Sequence, residues 1–316
     1  MELMKAVVCT KYGPPEVLQL TEVEKPEPKK GEVRIKIYAT SVTASDCIVR
    51  GFKLPLWNPV GLMMGLVIGF GKPRNPLLGM ILAGEVESTG SEAKRFKAGD
   101  HVYGTTVGSA IKMRFGTYAE YKCLPEDSII DIKPINVSFE EAAAVPYGGL
   151  IALDFLKKGD IQNKQKVLIY GASGAIGTSA VQLARYYGAE VTGVCSTGNV
   201  DLVKSLGAKT VIDYTKEDHP PQGEYYDFIF DAVGRRKSSK LKEQCKKTLI
   251  PNGFYISVDD GSPRDTIENL RLLTKLLEDE QLKPVIDRQY RLEQIVEAHR
   301  YVDQGHKKGN VVITVG

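Results

Sequence analysis

Hydrophobic positions follow two different patterns along the chain, and the pattern changes near residue 134. Up to residue 133, short β-branched or alternating runs are separated by Gly and Pro, which is typical of strands. These runs are EVRIKIYATSV from Glu32, LAGEVES from Leu82, GDHVYG from Gly99 and TYAEYKCL from Thr117. Because no long helical period occurs before Ser138, residues 1–133 are predicted to form an all-β, barrel-like domain.

Beyond residue 134, apolar strands alternate with helices. Ser138 and Glu141 have the spacing of a capping box, and the helix AIGTSAVQLARYYG ends at Gly188. The predicted strands are KVLIY (166–170), EVTGVC (190–195), TVIDY, DFIFDAVG and FYISV, with the helices VDLVKSLGA and KLKEQCKKTL between them. This alternation predicts an α/β domain at 134–262, a doubly wound parallel sheet with helices on both faces.

The sharpest motif is a glycine-rich turn between the strand KVLIY and the helix that follows it. Its glycines are spaced G-x-x-G-x-x-G, in the segment Gly171, Ala172, Ser173, Gly174, Ala175, Ile176, Gly177. Small residues let the backbone approach a pyrophosphate closely, and the helix N-terminus offers free N–H groups and a positive dipole end. The strand–turn–helix context predicts a dinucleotide site rather than a tight turn without a ligand.

The second strand of this domain indicates which dinucleotide is bound. An NAD site usually places Asp or Glu at the end of that strand, where it binds the ribose 2′-hydroxyl. Here Cys195 is followed by hydroxyl and amide donors, Ser196, Thr197 and Asn199, and Tyr214 adds a phenol after the next strand. The missing carboxylate favours NADPH over NADH, although the loop also lacks the cation expected beside a 2′-phosphate. Ser196 could equally act as a helix cap.

Composition limits the other function classes. The net charge of +3 is small and spread along the 316 residues, which excludes a nucleic-acid partner and mildly favours an anionic ligand. Five widely spaced cysteines predict reduced thiols in a cytoplasmic protein rather than disulfides or a metal cluster. Neither a signal-peptide core nor an apolar run long enough for an integral membrane segment is found in the sequence.

Motifs along nearly the whole chain resemble the medium-chain dehydrogenase/reductase superfamily, in particular its zinc-free quinone oxidoreductase-like branch. The resemblance lies in MKAVVCTKYGPPEVLQL, PKKGEVRIKIYATSVTASD, LAGEVESTG, RFKAGDHVYG, GTYAEY, AAAVPYGGLIA, GASGAIGTSAVQLAR, SLGAKTVIDY and GNVVITV. It implies a GroES-like β-barrel catalytic domain, an inserted Rossmann domain, and a cofactor cleft between them. Residues 263–316 would supply a sheet-edge helix and then return to the catalytic domain.

The resemblance also implies that zinc is absent. Thr43 stands where the zinc enzymes carry a catalytic cysteine, Gly79-Met80-Ile81 replaces their Gly-His-Glu motif, and their second metal cysteine falls near Tyr147-Gly148. The four-cysteine structural zinc lobe is absent as well, and none of the four histidines falls at a ligand position. Since zinc needs three or four converging N, S or O ligands, we expect no metal site.

Without a Lewis acid, the easier reactions are reduction of a quinone or an α,β-unsaturated carbonyl, because donors can stabilise charge on the conjugated oxygen. The resemblance places Thr43, Asp46 and Tyr147 at the reacting groups. Thr43 and Asp46 could instead only hold a strand–helix turn, and Tyr147 could only pack against the cofactor ring.

By the same resemblance, further residues contact the cofactor. Backbone groups near Ser257 and Val258 are expected to hold the nicotinamide carboxamide. Ala232 and Val233 are expected to line the nicotinamide, and Asn310 to approach the 2′-phosphate with Lys307 and Lys308 nearby.

The segment 54–76, rich in Met, Leu and Gly, leaves three interpretations open: a lid over a hydrophobic substrate, a contact with a membrane or a partner, and a packed helix.

Three functions therefore remain. The first is an NADPH-dependent reductase of small hydrophobic electrophiles, the second an enoyl-thioester reductase, and the third a catalytically idle nucleotide-binding regulator. The family resemblance further implies a homodimer formed through edge strands of the Rossmann sheet.

Overall fold

The computed structural model describes residues 2–52, 59–108, 114–235 and 239–316. Contacts within the chain group these residues into two compact units. The first unit comprises 1–146, 266–274 and 286–316, and the second comprises 147–265 and 275–285. The domain boundaries predicted after residues 133 and 262 stay predictions.

From residue 166 onward, the strands and helices follow the predicted order. The strands are β1 (Leu3–Cys9), β2 (Leu18–Glu24), β3 (Glu32–Val42), β4 (Ile81–Thr89), β5 (His101–Thr105), β6 (Tyr121–Pro125), β7 (Ile130–Ile132), β8 (Lys166–Tyr170), β9 (Glu190–Cys195), β10 (Thr210–Asp213), β11 (Tyr226–Asp231), β12 (Leu249–Ser257), β13 (Ile286–Arg291) and β14 (Asn310–Thr314). The helices are α1 (Ala44–Gly51), α2 (Pro59–Ile68), α3 (Phe139–Ala143), α4 (Pro146–Lys158), α5 (Ala175–Tyr186), α6 (Val200–Ser205), α7 (Lys240–Lys246), α8 (Ile267–Glu278) and α9 (Ile295–Asp303).

The first unit is built on a sheet with the strand order β13-β14-β3-β4-β5-β7, with β6 also pairing with β3. Strands β1 and β2 form a separate antiparallel ribbon. Strand β3 buries Val33, Ile35 and Ile37 at alternate positions, which is the two-residue period that predicted it. The last strand, β14, pairs with β3, so the C-terminal residues are part of the first unit.

The prediction that residues 1–133 are all β is wrong, because α1 and α2 lie within them. Helix α1 has only eight residues, too few to show a helical period in the sequence. Helix α2 is apolar at nearly every position and therefore shows no amphipathic pattern. The strand predicted from Thr117 also begins later, at Tyr121, since Ala119 makes only an isolated bridge with Ala6.

The second unit contains a parallel five-stranded sheet in the order β10-β9-β8-β11-β12. The chain runs outward from β8 to β10 on one side and then to β12 on the other, so strand order reverses beside β8. In open α/β sheets, ligands bind outside the carboxyl ends of the strands at such a reversal. The mixed α/β fold with a parallel sheet is confirmed, and the glycine turn after β8 lies at the reversal.

Candidate cofactor site and active site

Two glycines of the turn between β8 and α5 are required by the packing of the protein itself. Gly171 has φ +81°, in the left-handed region that favours glycine, and a Cβ there would lie 2.3 Å from a methyl group of Val233. A Cβ on Gly177 would lie 2.0 Å from the carbonyl oxygen of Gly171. Any side chain at either position would therefore displace the turn.

The middle glycine is different, because the protein leaves space beside it. Gly174 has an ordinary φ of −78°, and a Cβ there would meet only the carbonyl oxygen of Gly171, at 3.6 Å. It is the N-cap residue of the twelve-residue helix α5, which has no side-chain cap and no acidic residue in its first turn. A turn that is open at Gly174 and followed by uncapped amides fits a diphosphate.

Helix α4 packs directly against this turn. A Cβ on Gly148 would lie 2.2 Å from the carbonyl oxygen of Ala175, so only glycine permits this approach. The predicted catalytic residue Tyr147 precedes Gly148 at the start of α4 and is half-buried. The sequence analysis assigned no role to Gly148. Its signal was the glycine pair in VPYGG, which is costly within a helix unless close packing requires it.

Three of the predicted cofactor residues meet at the carboxyl end of β9. The Asn199 side-chain amide donates to the hydroxyl oxygen of Ser173 at 3.2 Å and to that of Ser196 at 3.1 Å. The structure therefore joins the loop after β9 to the glycine turn. Ser196 precedes the 3-10 turn 197–199 without a side-chain cap hydrogen bond, so the alternative cap role is not observed.

A carboxylate that the sequence analysis missed lies at the end of the neighbouring strand β10. Asp213 accepts hydrogen bonds from the hydroxyl groups of Thr197 at 2.5 Å and Thr215 at 2.7 Å. These bonds lower the pKa of Asp213 to about 2. The Thr197 hydroxyl is thus already engaged with a carboxylate. Tyr214 is half exposed, and its N–H donates to the carbonyl oxygen of Cys195.

A buried ion pair organises the loop after β11, which the sequence analysis also missed. Asp231 and Lys242 are both buried, and their oxygen and nitrogen atoms are 2.7 Å apart. Asp231 accepts from the backbone N–H groups of Val233 and Gly234 at 3.1 Å, and Lys242 donates to the carbonyl oxygen of Gly234. The pair therefore fixes the loop that begins with the predicted ring-lining residues Ala232 and Val233. The only sequence signal was a carboxylate closing the apolar strand DFIFD.

The same carboxylate holds the end of β12. The hydroxyl groups of Tyr255 and Ser257 donate to Asp231 at 3.0 and 3.4 Å, and the N–H of Val258 donates to its carbonyl oxygen. The N–H of Ser257 donates to Asp260 at 2.9 Å. Ser257 and Val258 are thus held in a rigid network beside the loop after β11, and their contact with a carboxamide stays a prediction.

In the first unit, Thr43 and Asp46 close the N-terminus of α1. The Thr43 hydroxyl donates to Asp46 at 2.6 Å, the Thr43 N–H donates to the same oxygen at 2.9 Å, and the Asp46 N–H donates back at 3.1 Å. Both side chains are buried. This is a complete capping box, the turn-holding role that the sequence left open. A catalytic role for either residue stays a prediction.

Burial dominates the electrostatics of this cap. It raises the pKa of Asp46 to about 6, although the hydrogen bonds from Thr43 act in the opposite direction. The buried Tyr118 hydroxyl lies close enough for each group to influence the other, and burial raises the pKa of Tyr118 well above its ordinary value. Asp46 therefore keeps its proton to a higher pH than an exposed carboxyl group does.

The remaining predicted cofactor residue, Asn310, is buried at the start of β14 in the first unit. Nearby, the Lys307 ammonium donates to the carbonyl oxygen of Gly309 at 2.6 Å, and burial lowers the pKa of Lys307 to about 8. The exposed Lys308 donates its backbone N–H to Asp287. The proximity of Asn310 to a 2′-phosphate stays a prediction.

Within residues 2–52, 59–108, 114–235 and 239–316, no group of three or more His, Cys, Asp or Glu side chains could hold a metal ion. None of the helices in those ranges combines the length and apolarity needed to cross a membrane.

Family models match three stretches of the chain. An alcohol dehydrogenase GroES-like domain matches residues 29–134, and zinc-binding dehydrogenase models match 175–258 and 261–313. The first of these confirms the expected GroES-like domain.

Individual relatives match nearly the whole chain. The 2-methylene-furan-3-one reductase of Solanum lycopersicum is 34% identical over 98% of this chain and 79% of its own length. The NADPH-dependent alkenal/one oxidoreductase of Arabidopsis thaliana is 30% identical with the same coverage. The quinone oxidoreductase structure from Coxiella burnetii is 29% identical, covers 100% of both chains and has a TM-score of 0.84. The chain belongs to the medium-chain dehydrogenase/reductase superfamily and is a quinone oxidoreductase-like member of it.

Proposed function

We propose that this enzyme uses NADPH to reduce a quinone or an α,β-unsaturated carbonyl in a small hydrophobic substrate, without zinc. The observation that carries the proposal is the open turn at Gly174, which leaves the uncapped N-terminus of α5 at the point where strand order reverses. The relatives support the acceptor class, because enones, alkenals and quinones all conjugate an oxygen to an electrophilic carbon.

Different residues of the chain bind different parts of the dinucleotide. The first-turn amides of α5 bind the diphosphate, and Gly174 lets it approach. The linked side chains of Ser173, Ser196 and Asn199 provide neutral donors for a 2′-phosphate. Asp213, at the end of β10, contacts that loop through the hydroxyl of Thr197, and Thr215 also donates a hydrogen bond to it. Residue 196, directly after β9, is a serine rather than the carboxylate that favours NADH.

When bound, the nicotinamide supplies hydride to the electrophilic carbon of the acceptor. The loop at Ala232 and Val233 is rigid through Asp231 and would orient the ring, while the backbone at Ser257 and Val258 would hold its carboxamide. The Thr43 hydroxyl donates its hydrogen bond to Asp46 and therefore not to a substrate. We assign stabilisation of the negative charge on the substrate oxygen to the Tyr147 phenol.

The absence of zinc rests on the positions where the related metal enzymes carry ligands. Thr43 is engaged in the helix cap, and Met80 is buried in the hydrophobic core of the first unit. Gly148 has no space for a side chain, because Ala175 occupies it. Full activity after treatment with 1,10-phenanthroline is expected, and zinc-dependent recovery would contradict this part of the proposal.

A homodimer in the cytoplasm completes the proposal. Strand β12 lies at one edge of the parallel sheet, and its Phe254 is 43% exposed. A nine-residue edge strand can pair with a second copy, as the family resemblance implied. Light scattering coupled to gel filtration would give twice the 34.8 kDa chain mass.

The deciding experiment combines binding with turnover. NADPH should raise the melting temperature more than NADH does, and NADPH should be oxidised with 1,2-naphthoquinone and with an alkenal. Tyr147→Phe should lower kcat about ten- to hundred-fold with little change in the NADPH-induced shift. An equal or larger shift with NADH would contradict the NADPH preference. Activity restricted to acyl thioesters would identify an enoyl-thioester reductase, and binding without turnover would identify a regulator.

A further inference from the structure

The outward side of α2 is an apolar surface that no described residue covers. Leu62, Met63 and Leu66 are 50%, 59% and 56% exposed, and Phe70, just beyond the helix, is 45% exposed. Leu62, Met63 and Leu66 lie within about 100° of one another around the helix axis, and the Phe70 ring lies beside Gly65 of the same helix. An exposed cluster of large apolar side chains of this kind marks an interaction site. We call these four residues the α2 patch.

The opposite side of α2 is firmly attached to the first unit. Ile68 is buried in the core, with Met64 and Val67 packed against it. The Tyr12 hydroxyl contacts the carbonyl oxygens of Ile68 at 3.0 Å and Gly69 at 2.9 Å. The α2 patch is therefore held outward by a fixed helix. A helix that is apolar on all sides is normally buried in protein or lipid.

The segment of the chain that carries the α2 patch has charged residues of a single sign. Residues 47–84 contain no Asp or Glu, although the chain has 39 in 316 residues. Lys72 and Arg74 follow the helix and are exposed, and no ion pair joins either to a carboxylate in the described ranges. Arg50 is the other described cation of this stretch, but it is buried and pairs with Asp303. The surface is thus complementary to an apolar layer with an anionic rim.

We propose that the α2 patch, together with Lys72 and Arg74, binds the surface of an anionic phospholipid bilayer. The apolar side chains enter the boundary between headgroups and acyl chains, and the two cations contact the lipid phosphates. A second copy of the chain fits less well, because a two-fold contact at this patch would bring Lys72 and Arg74 toward their own equivalents. A protein partner would normally also find a hydrogen-bonding rim, which four apolar side chains do not supply. The proposal does not depend on the reaction that the enzyme catalyses.

Vesicle flotation with the full chain tests the proposal. We expect binding to vesicles of phosphatidylcholine with phosphatidylglycerol, and much weaker binding to phosphatidylcholine alone. Lys72→Gln with Arg74→Gln should lower the partition coefficient about twenty-fold, since each cation near the surface contributes about five-fold. Lys29→Gln with Lys97→Gln, which removes the same charge from two exposed lysines elsewhere, should have little effect.

The apolar contribution is tested separately. Leu62→Gln with Leu66→Gln should lower binding at least about ten-fold, whereas Ile135→Gln, at a fully exposed apolar position, should not. Thermal melting confirms that each variant is folded. Failure of the unmodified protein to bind anionic vesicles would overturn the proposal. It would also be overturned if the α2 variants changed only the dimer mass, or raised only the KM for a water-soluble enone. The first of those results would identify a copy-to-copy contact, and the second a substrate lid.

Discussion

Two strand-to-helix turns of this protein use their helix N-termini in opposite ways. The turn from β3 to α1 closes its N-terminus with Thr43 and Asp46, which occupy each other's hydrogen-bonding groups. The turn from β8 to α5 has Gly174 at the N-cap position and no side-chain cap. A helix N-terminus is available to an anion only where the protein does not occupy it with its own carboxylate or hydroxyl.

The same difference separates the predicted cofactor residues at α5 from the predicted catalytic residues at α1, and both sets stay predictions. At α5, glycine at the cap position and the absence of acidic residues leave the positive end of the helix unneutralised. At α1, Thr43 stands where the zinc enzymes carry a metal-binding cysteine, and its side chain caps the helix. A hydroxyl group at a catalytic position is therefore not by itself a free donor.

The largest expected effect tests a third connection, from β11 to α7, where a buried ion pair between Asp231 and Lys242 adds to the Ser239 side-chain cap of α7. Lys242→Met leaves Asp231 buried without its cation, and we expect a loss of about 3–5 kcal/mol in the free energy of unfolding. Urea denaturation measures this loss. Adding Asp231→Asn to the same variant should restore part of the stability. A single variant that loses less than about 1 kcal/mol would contradict a structural role for the pair.

The next largest effect is expected when a side chain at position 174 caps the N-terminus of α5. Gly174→Asp adds a capping carboxylate where a side chain fits sterically, so the fold should persist. Cofactor affinity should fall about a hundred-fold or more, because the carboxylate occupies the amides and repels the diphosphate. Isothermal titration with NADPH gives the affinity, and Gly174→Ala is the uncharged control, expected to bind more tightly than the Asp variant. Equal affinity in the two variants would show that the amides of α5 do not bind the diphosphate.

Asp46, in the turn from β3 to α1, should make the free energy of unfolding depend on pH. Because burial raises the pKa of Asp46 from 3.8 to about 6, the folded state binds this proton more tightly than the unfolded chain. The free energy of unfolding should therefore fall by up to about 3 kcal/mol as the pH rises from about 4 to about 6. Denaturation across this range should show the decrease in the unmodified protein and a flatter profile in Asp46→Asn. Parallel profiles would show that Asp46 titrates normally.

The smallest effect concerns the carboxylate beside the loop after β9. Asp213→Asn removes a negative charge but keeps an acceptor for Thr197, so NADPH should bind about two- to ten-fold more tightly and NADH with little change. Fluorescence titration with each cofactor gives the ratio of the dissociation constants for NADPH and NADH. If NADH binding weakened instead, Asp213 would be identified as the acceptor of a ribose hydroxyl.

The sequence predicted the parallel strands of the second unit, since buried parallel strands are continuous apolar runs. The largest error is at β12, which begins at Leu249 and not at Phe254. It did not predict α1, which is too short to show a period. For the segment that contains α2 it left a packed helix open beside two other interpretations, because this helix has no polar face. Similarly, the sequence identified the glycine turn but could not separate Gly174 from Gly171 and Gly177. That distinction depends on which atoms lie beside each absent side chain.

The order of residues alone determined most elements of the second unit, the glycine turn and the family, because hydrophobic period and motif spacing depend only on neighbouring positions along the chain. Only the tertiary structure decided that Lys242 neutralises Asp231, that Thr197 contacts Asp213 and that Asn199 joins two loops. These pairs are separated along the chain and come together only when parallel strands align their carboxyl ends. Burial, which sets the pKa of Asp46 and leaves the α2 patch exposed, is likewise a property of the packed fold and of no single segment.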